Sequence, residues 1–201
     1  MALAPATSLV IGPEHDGQPM KLEEFAHADA ISGYRYELER GVIVVDVPRL
    51  THELVVQNTR EALTFYKRAN PGRVFLVSGG MGSVLRLPGV QSERHPDITV
   101  YLHGPESADD NPWDYWVPAL VFEVVSKSSV KRDYVTKREE YLLGGVREYV
   151  IIDSRDHTAL ALTRRGDVWD ERRLTDADAY VTSLLPGFSL SLADVFSIPM
   201  Q

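Results

Sequence analysis

Cysteine is absent from the chain. That excludes disulfides and thiolate chemistry outright, and it permits a reducing compartment. Long apolar runs are absent too. No segment approaches the roughly 20 residues needed to cross a bilayer. Basic residues are the scarcer charge, 21 against 29 acidic, for a formal charge of −8. Non-specific coating of nucleic acid rests on phosphate neutralisation, so this balance disfavours it. A local basic groove stays open, as does an acidic cluster that loads a divalent metal. The N-terminal stretch has no basic segment, and its apolar residues are few and interrupted by Pro, unlike a secretory signal. A cytoplasmic protein without membrane attachment is the expectation. What is present is ordinary: 201 residues, 44% hydrophobic and 25% charged. That suffices for a domain with a proper core. No linker, repeat or compositional break appears, so a single domain over residues 1–201 is expected. Residues 1–18 carry Pro, Gly and Ser without a period and read as a loose arm.

The informative stretch runs from His95 to Asp153. Pro118-Ala119-Leu120-Val121-Phe122-Glu123-Val124-Val125 reads as a central strand covered on both faces. Glu123 interrupts it. An unpaired buried charge costs several kcal/mol, so Glu123 needs a cation, a metal or a proton. The alternatives are a structural salt bridge or an edge position facing water. Upstream, Ile98, Val100 and Leu102 alternate with Asp97, Thr99 and Tyr101, so one strand face is apolar and the other carries Asp97. Downstream, a helix is expected from about Lys131 to Leu143, ended by Gly144-Gly145. Asp133, Lys137 and Tyr141 share one stripe of it, either a solvent face or the wall of a cleft. Arg147 to Asp153 reads as a strand. Strand, helix and strand in so short a span make a right-handed crossover, so this strand is expected to be parallel to that of Glu123 or nearly adjacent to it.

Around this stretch, Met20 to His27 reads as a short helix. Tyr34–Glu39 and Val42–Val47 flank Arg40-Gly41 as a hairpin that carries Glu37. Thr51 is a candidate cap for a helix to about Ala69. His52 lies in its first turn, as a cap, a surface residue or a site residue. A zinc-protease helix is excluded, because Val56 stands where the second His belongs. Ser78-Gly79-Gly80-Met81-Gly82 joins two extended runs. No Gly-Lys-Ser/Thr follows, so it reads as a hairpin turn, not a phosphate loop. Gly104 to Trp116 reads as a surface loop or a lid. Ser128-Ser129-Val130-Lys131 matches Ser-x-x-Lys by chance, since the other β-lactamase elements are missing. His157–Arg164 and Val168–Leu174 form a second hairpin. Ser191 is a candidate cap for a last short helix. The fold class expected is α+β: a mixed sheet with helices packed on it and extra hairpins.

Pro96-Asp97, Glu123-Val124-Val125-Ser126, Asp133-x-x-x-Lys137-x-x-x-Tyr141, Gly145-Val146-Arg147-Glu148-Tyr149 and Asp153 occur in that order. With Tyr36-Glu37-Leu38, His52 and Leu185-Pro186-Gly187-Phe188, this set resembles the Uma-two family of restriction-endonuclease-like proteins, in the PD-(D/E)XK nuclease superfamily. The resemblance spans roughly Tyr34 to Phe196. It implies a restriction-endonuclease-like core and metal-dependent hydrolysis of DNA phosphodiester bonds. Asp97 and Glu123 are implied as ligands of Mg²⁺ or Mn²⁺, which polarises the phosphate and acidifies the attacking water. Lys137 is implied as the third catalytic residue, orienting that water and offsetting growing negative charge. Glu37, His52, Asp133 and Tyr141 are expected to line the site. In the superfamily the lysine stands two residues after the Glu, where this chain has Val125; Lys137 on the next helix matches the family pattern instead. DNA held in a local groove is the expected partner. Edge-prone hairpins at Tyr34–Val47 and His157–Leu174 add a homodimer to the expectations. The alternative is a non-catalytic binding or regulatory protein that keeps the nuclease fold, which the net negative charge favours.

Overall fold

The computed structural model describes residues 9–47, 49–107 and 112–197. They fall into two compact units. One is drawn from Met1–Pro48 and Arg86–Arg94, the other from Arg49–Leu85 and His95–Gln201.

In the first unit, β1 (Val10–Ile11) pairs in parallel with β2 (Asp29–Ala30), and α1 (Leu22–Ala26) lies between them in sequence. Strands β3 (Arg35–Glu39) and β4 (Val42–Asp46) form the expected hairpin, in which Glu37 faces Val44. The turn at Arg40-Gly41 has positive φ at both residues, the geometry a tight hairpin of this hand needs. With β6 (Leu85–Leu87) and β7 (Ser92–Arg94) the sheet order is β4-β3-β7-β6. Ile11 is buried with Leu22, Phe25, Tyr36, Leu38 and Ile43. So the loose arm expected over residues 1–18 is corrected for residues 9–18: burying Ile11 and the bond from Gly17 N to Ile43 O (2.8 Å) hold them on the hairpin. The rest of that arm lies outside the described residues.

In the second unit, α2 (Leu50–Ala69) precedes a six-stranded sheet. It is made of β5 (Leu76–Ser78), β8 (Ile98–Tyr101), β9 (Leu120–Val124), β10 (Glu148–Asp153), β11 (Thr158–Arg165) and β12 (Val168–Thr175), in the order β12-β11-β10-β9-β8-β5. β9 and β10 are parallel; every other neighbouring pair is antiparallel. The parallel pair needs a crossover. A π-helical turn at Arg132–Thr136 supplies it, running straight into α3 (Lys137–Leu143). The short strands β13 (Ala179–Val181) and β14 (Ser189–Ser191) pair, and Ser191 Oγ caps α4 (Leu192–Phe196) by accepting from Asp194 N. Val55 and Leu63 of α2, with Val195 and Phe196 of α4, pack on Ile98, Val100, Leu120, Phe122 and Val124. Side chains alternate along a strand, so Glu123 points to the other face.

Three local expectations are corrected. Ser78–Gly82 is not a hairpin turn: β5 pairs with β8, whereas β6 joins the sheet of β3 and β7. The glycines hand the chain from one sheet to another. Thr51 does not cap α2, which starts at Leu50 after an extended Arg49 with no side-chain cap. The loop from Gly104 to Trp116 lies partly outside the described residues; its end is pinned by Trp116, whose ring stacks on Tyr101 at 3.9 Å. Among the described residues no helix is long and apolar enough to cross a membrane.

Candidate active site

Asp97 directly precedes β8, and Ile98 pairs with Phe122 of β9 in antiparallel register. One step further along the ladder sets Asp97 opposite Glu123. The two carboxyls therefore share one face at the ends of paired strands. Both are buried, as β9 is central and covered on both sides. The Asp97 carboxylate Oδ2 accepts from Val124 N at 2.7 Å. The Asp97 N–H points at Glu123 Oε2, 3.4 Å away. These cross-strand bonds lock the two acids to each other's backbone.

The crossover helix supplies the cation. Lys137 Nζ donates to Glu123 Oε1 at 2.8 Å and lies 3.7 Å from Asp133 Oδ1. Tyr141 Oη donates to the same Glu123 oxygen at 2.5 Å. The π turn explains the alignment. In a regular α-helix a four-residue step overshoots one turn by about 40°. The wider turn, closed by Lys137 N to Arg132 O, removes that drift. Asp133, Lys137 and Tyr141 thus stay in one buried column, and the stripe is not a solvent face: it meets Glu123 of β9. Val125 is buried in the core, its N–H on Ile152 O at 2.8 Å.

From α2, His52 Nε2 approaches Asp97 Oδ2 at 3.0 Å while its Nδ1 faces Glu53 Oε1 at 3.2 Å. The imidazole is thereby oriented from both ends. The structure brings Asp97, Glu123, Lys137, Asp133, Tyr141 and His52 together. Glu37 belongs to the other unit, where Arg94 Nη1 donates to its Oε2 at 3.2 Å. Arg94, fully buried, also reaches Glu39 at 3.2 Å.

Three contributors escaped the sequence reading. Arg60 Nη2 donates to the Asp97 main-chain oxygen at 2.9 Å. Ser129 Oγ donates to Asp133 Oδ2 at 2.5 Å. Gly79 packs so tightly on Asp97 that a Cβ there would lie 2.1 Å from the Asp97 oxygen. Only the Gly-rich composition of the 78–82 stretch hinted at any of them.

Burial pushes the Asp133 carboxyl up to about 6; Lys137 and the Ser129 bond hold it back, and the Asp97 charge adds to the rise. The folded protein therefore holds this proton more tightly than the unfolded chain. Stability falls as pH rises from about 4 to 6, and the full penalty is present above that. Asp133→Asn removes it. In metal-free buffer the variant should be the more stable at pH 7.5, by up to about 3 kcal/mol, and the gap should shrink towards pH 4.5. Thermal melts of both proteins at the two pH values check this, and a pH-independent gap counts against it.

A family model described as "Putative restriction endonuclease" (Uma2) matches residues 22–193. No curated protein matches the chain. Among solved structures, the chain resembles the crystal structure of a "putative nuclease belonging to DUF820" from Anabaena variabilis ATCC 29413. The TM-score is 0.70 and the identity 17%, over 89% of this chain and 98% of that one. At that identity the likeness establishes the shared α+β fold.

Proposed function

The chain belongs to the Uma2 family, a family of restriction-endonuclease description, and on that premise we propose that it is an endonuclease that hydrolyses DNA phosphodiester bonds with Mg²⁺ or Mn²⁺. One observation carries the reading: Asp97 and Glu123 sit opposite each other on paired strands, with the Lys137 ammonium 2.8 Å from Glu123. Two buried carboxylates repel unless positive charge lies between or beside them. Hard oxygen donors suit Mg²⁺, which binds through one or two carboxylates and completes its shell with waters and substrate phosphate. The residues present fit that ion, with Asp97 and Glu123 as its protein ligands. Among the described residues no group of three or more His, Cys, Asp or Glu side chains is placed to hold a metal ion, so the protein ligands in this reading are the two carboxylates alone. When bound, the metal would polarise the phosphate and acidify a water.

The protein's own groups do the rest. Tyr141 and Lys137 fix one oxygen of Glu123, and His52 orients Asp97. An ammonium carries three N–H donors and no acceptor. Lys137 therefore works as a charged donor to phosphate oxygens and to water, never as an acceptor of the water's proton while it stays charged. Asp133 keeps it in the column from the other side. With a formal charge of −8, contact with DNA is confined to a local groove. A homodimer belongs to the same reading, since two sites suit two DNA strands; light scattering at assay concentration measures it.

The test is incubation of the purified protein with supercoiled plasmid and single-stranded DNA in Mg²⁺, Mn²⁺ or chelator. Nicking or linearisation in metal and none in chelator is the expected result. Mn²⁺ should also raise the melting temperature by mass action. Metal-stabilised protein that cuts neither substrate points to the second reading, a binding or regulatory protein on the nuclease fold, which Val125 at the superfamily's lysine position favours. An unchanged melting temperature in Mn²⁺, with Asp97→Asn alone raising it, makes the two acids a strained structural pair.

A further inference from the structure

Arg60 lies two turns beyond His52 on α2, and both side chains converge on Asp97. His52 holds the carboxylate at 3.0 Å; Arg60 Nη2 holds the main-chain oxygen at 2.9 Å. The same oxygen is the atom against which the Gly79 backbone packs. The Asp97 peptide is therefore gripped on one side by a guanidinium and on the other by a residue that no side chain could replace. Arg60 Nε is buried and has no hydrogen-bond partner among the described residues. A buried donor left unsatisfied opposes folding. Stability alone does not favour that placement, so the buried Nε calls for another account.

We propose that Arg60 is a positioning residue: by fixing the Asp97 carbonyl it sets the rotation of that peptide, and with it the place of the Asp97 carboxylate opposite Glu123. The inference rests on Asp97 and Glu123 being the metal ligands. Its sign is diagnostic. A guanidinium beside two carboxylates repels a divalent cation, so removing its charge alone tightens metal binding. Removing a positioning contact loosens it, as loss of outer-shell partners of metal ligands generally does.

The experiment is a Mn²⁺ titration of the purified full chain, read from the electron paramagnetic resonance signal of free Mn²⁺, without DNA. Arg60→Met should raise the Mn²⁺ dissociation constant at least about tenfold. Arg60→Lys, which keeps the charge but not the planar reach, should raise it as well. Arg68→Met, on an exposed position of the same helix, should leave it unchanged. Binding as tight as in the parent, or tighter, in the Arg60 variants overturns the inference while the metal reading stands. If Arg60→Met fails to fold, Arg60→Lys alone decides by the same criterion. A parent chain that retains no Mn²⁺ removes the metal reading and this inference with it.

Discussion

Lys137→Ala is expected to abolish metal-dependent cleavage, by about 10²–10⁴-fold or more, while Mn²⁺ still binds. Glu123→Ala is expected to lose both. The contrast follows from where the two groups sit. On the proposed function Glu123 would offer an oxygen to a metal, whereas the ammonium cannot be a ligand and would offer charge and donors to the reacting phosphate. Its removal also takes the ammonium from a buried carboxylate that keeps the neutral Tyr141 hydroxyl and Asp97 N–H facing it but loses this cation. Breaking one partner out of a buried pair costs about 3–5 kcal/mol. On the proposed function a bound metal ion would replace the lost positive charge. So the metal-free variant should melt well below the parent, and Mn²⁺ should recover more of its stability than it adds to the parent. Cleavage rates, melting temperatures and Mn²⁺ titrations on the two variants test this together. Parental cleavage by Lys137→Ala would remove the lysine from the chemistry and reduce the pair with Glu123 to a structural ion pair.

The second large effect belongs to a residue with no side chain. Gly79→Ala should destabilise the protein by at least about 3 kcal/mol and weaken the stabilisation that Mn²⁺ provides. Gly79 has φ 147° and ψ 172°, a region L side chains rarely adopt. Its Cβ would lie 2.1 Å from the Asp97 oxygen, 2.7 Å from the Asp97 carbonyl carbon and 2.9 Å from Ile98 Cα. These are backbone atoms and cannot swing aside. Either β5 separates from β8 or Asp97 moves, and Asp97 is one of the two proposed metal ligands. Gly80→Ala is the control. Gly80 also has positive φ, 57°, but a Cβ there meets nothing within 4 Å. Left-handed strain alone costs about 1–2 kcal/mol. Equal losses for the two variants in denaturant unfolding would show that backbone strain, not the close approach to Asp97, is what the glycine relieves.

Several parts of this protein follow from the order of its residues alone. Glu123 amid Leu, Val and Phe announces a buried carboxylate, because burying apolar residues on both faces leaves no water for the one acid among them. Two-residue alternation assigns Asp97 to one face of its strand. A strand, a helix and a strand within so few residues force a parallel crossover, and β9 and β10 are parallel. These inferences succeed because they rest on periods and lengths within one element or between sequence neighbours. The stripe of Asp133, Lys137 and Tyr141 was legible as a stripe, but its direction was not. Sequence spacing fixes which residues share a face, and only packing determines what that face meets. The π turn that straightens the column has no composition of its own.

Contacts over long separations were decided by tertiary structure. Arg60 is a cation on an amphipathic helix, where solvent is the ordinary destination; only the docking of α2 beside β8 brings it to the Asp97 carbonyl. Ser78–Gly82 has the composition of a hairpin turn, yet it passes the chain from one sheet to another. A turn's residues specify that the chain changes direction, while the strand that receives it is selected by which edges and apolar faces remain to be paired. In the same way the buried Glu37–Arg94 pair depends on β3 and β7 meeting across 57 residues of sequence, a meeting settled by the energy of the assembled sheet and written in neither strand by itself.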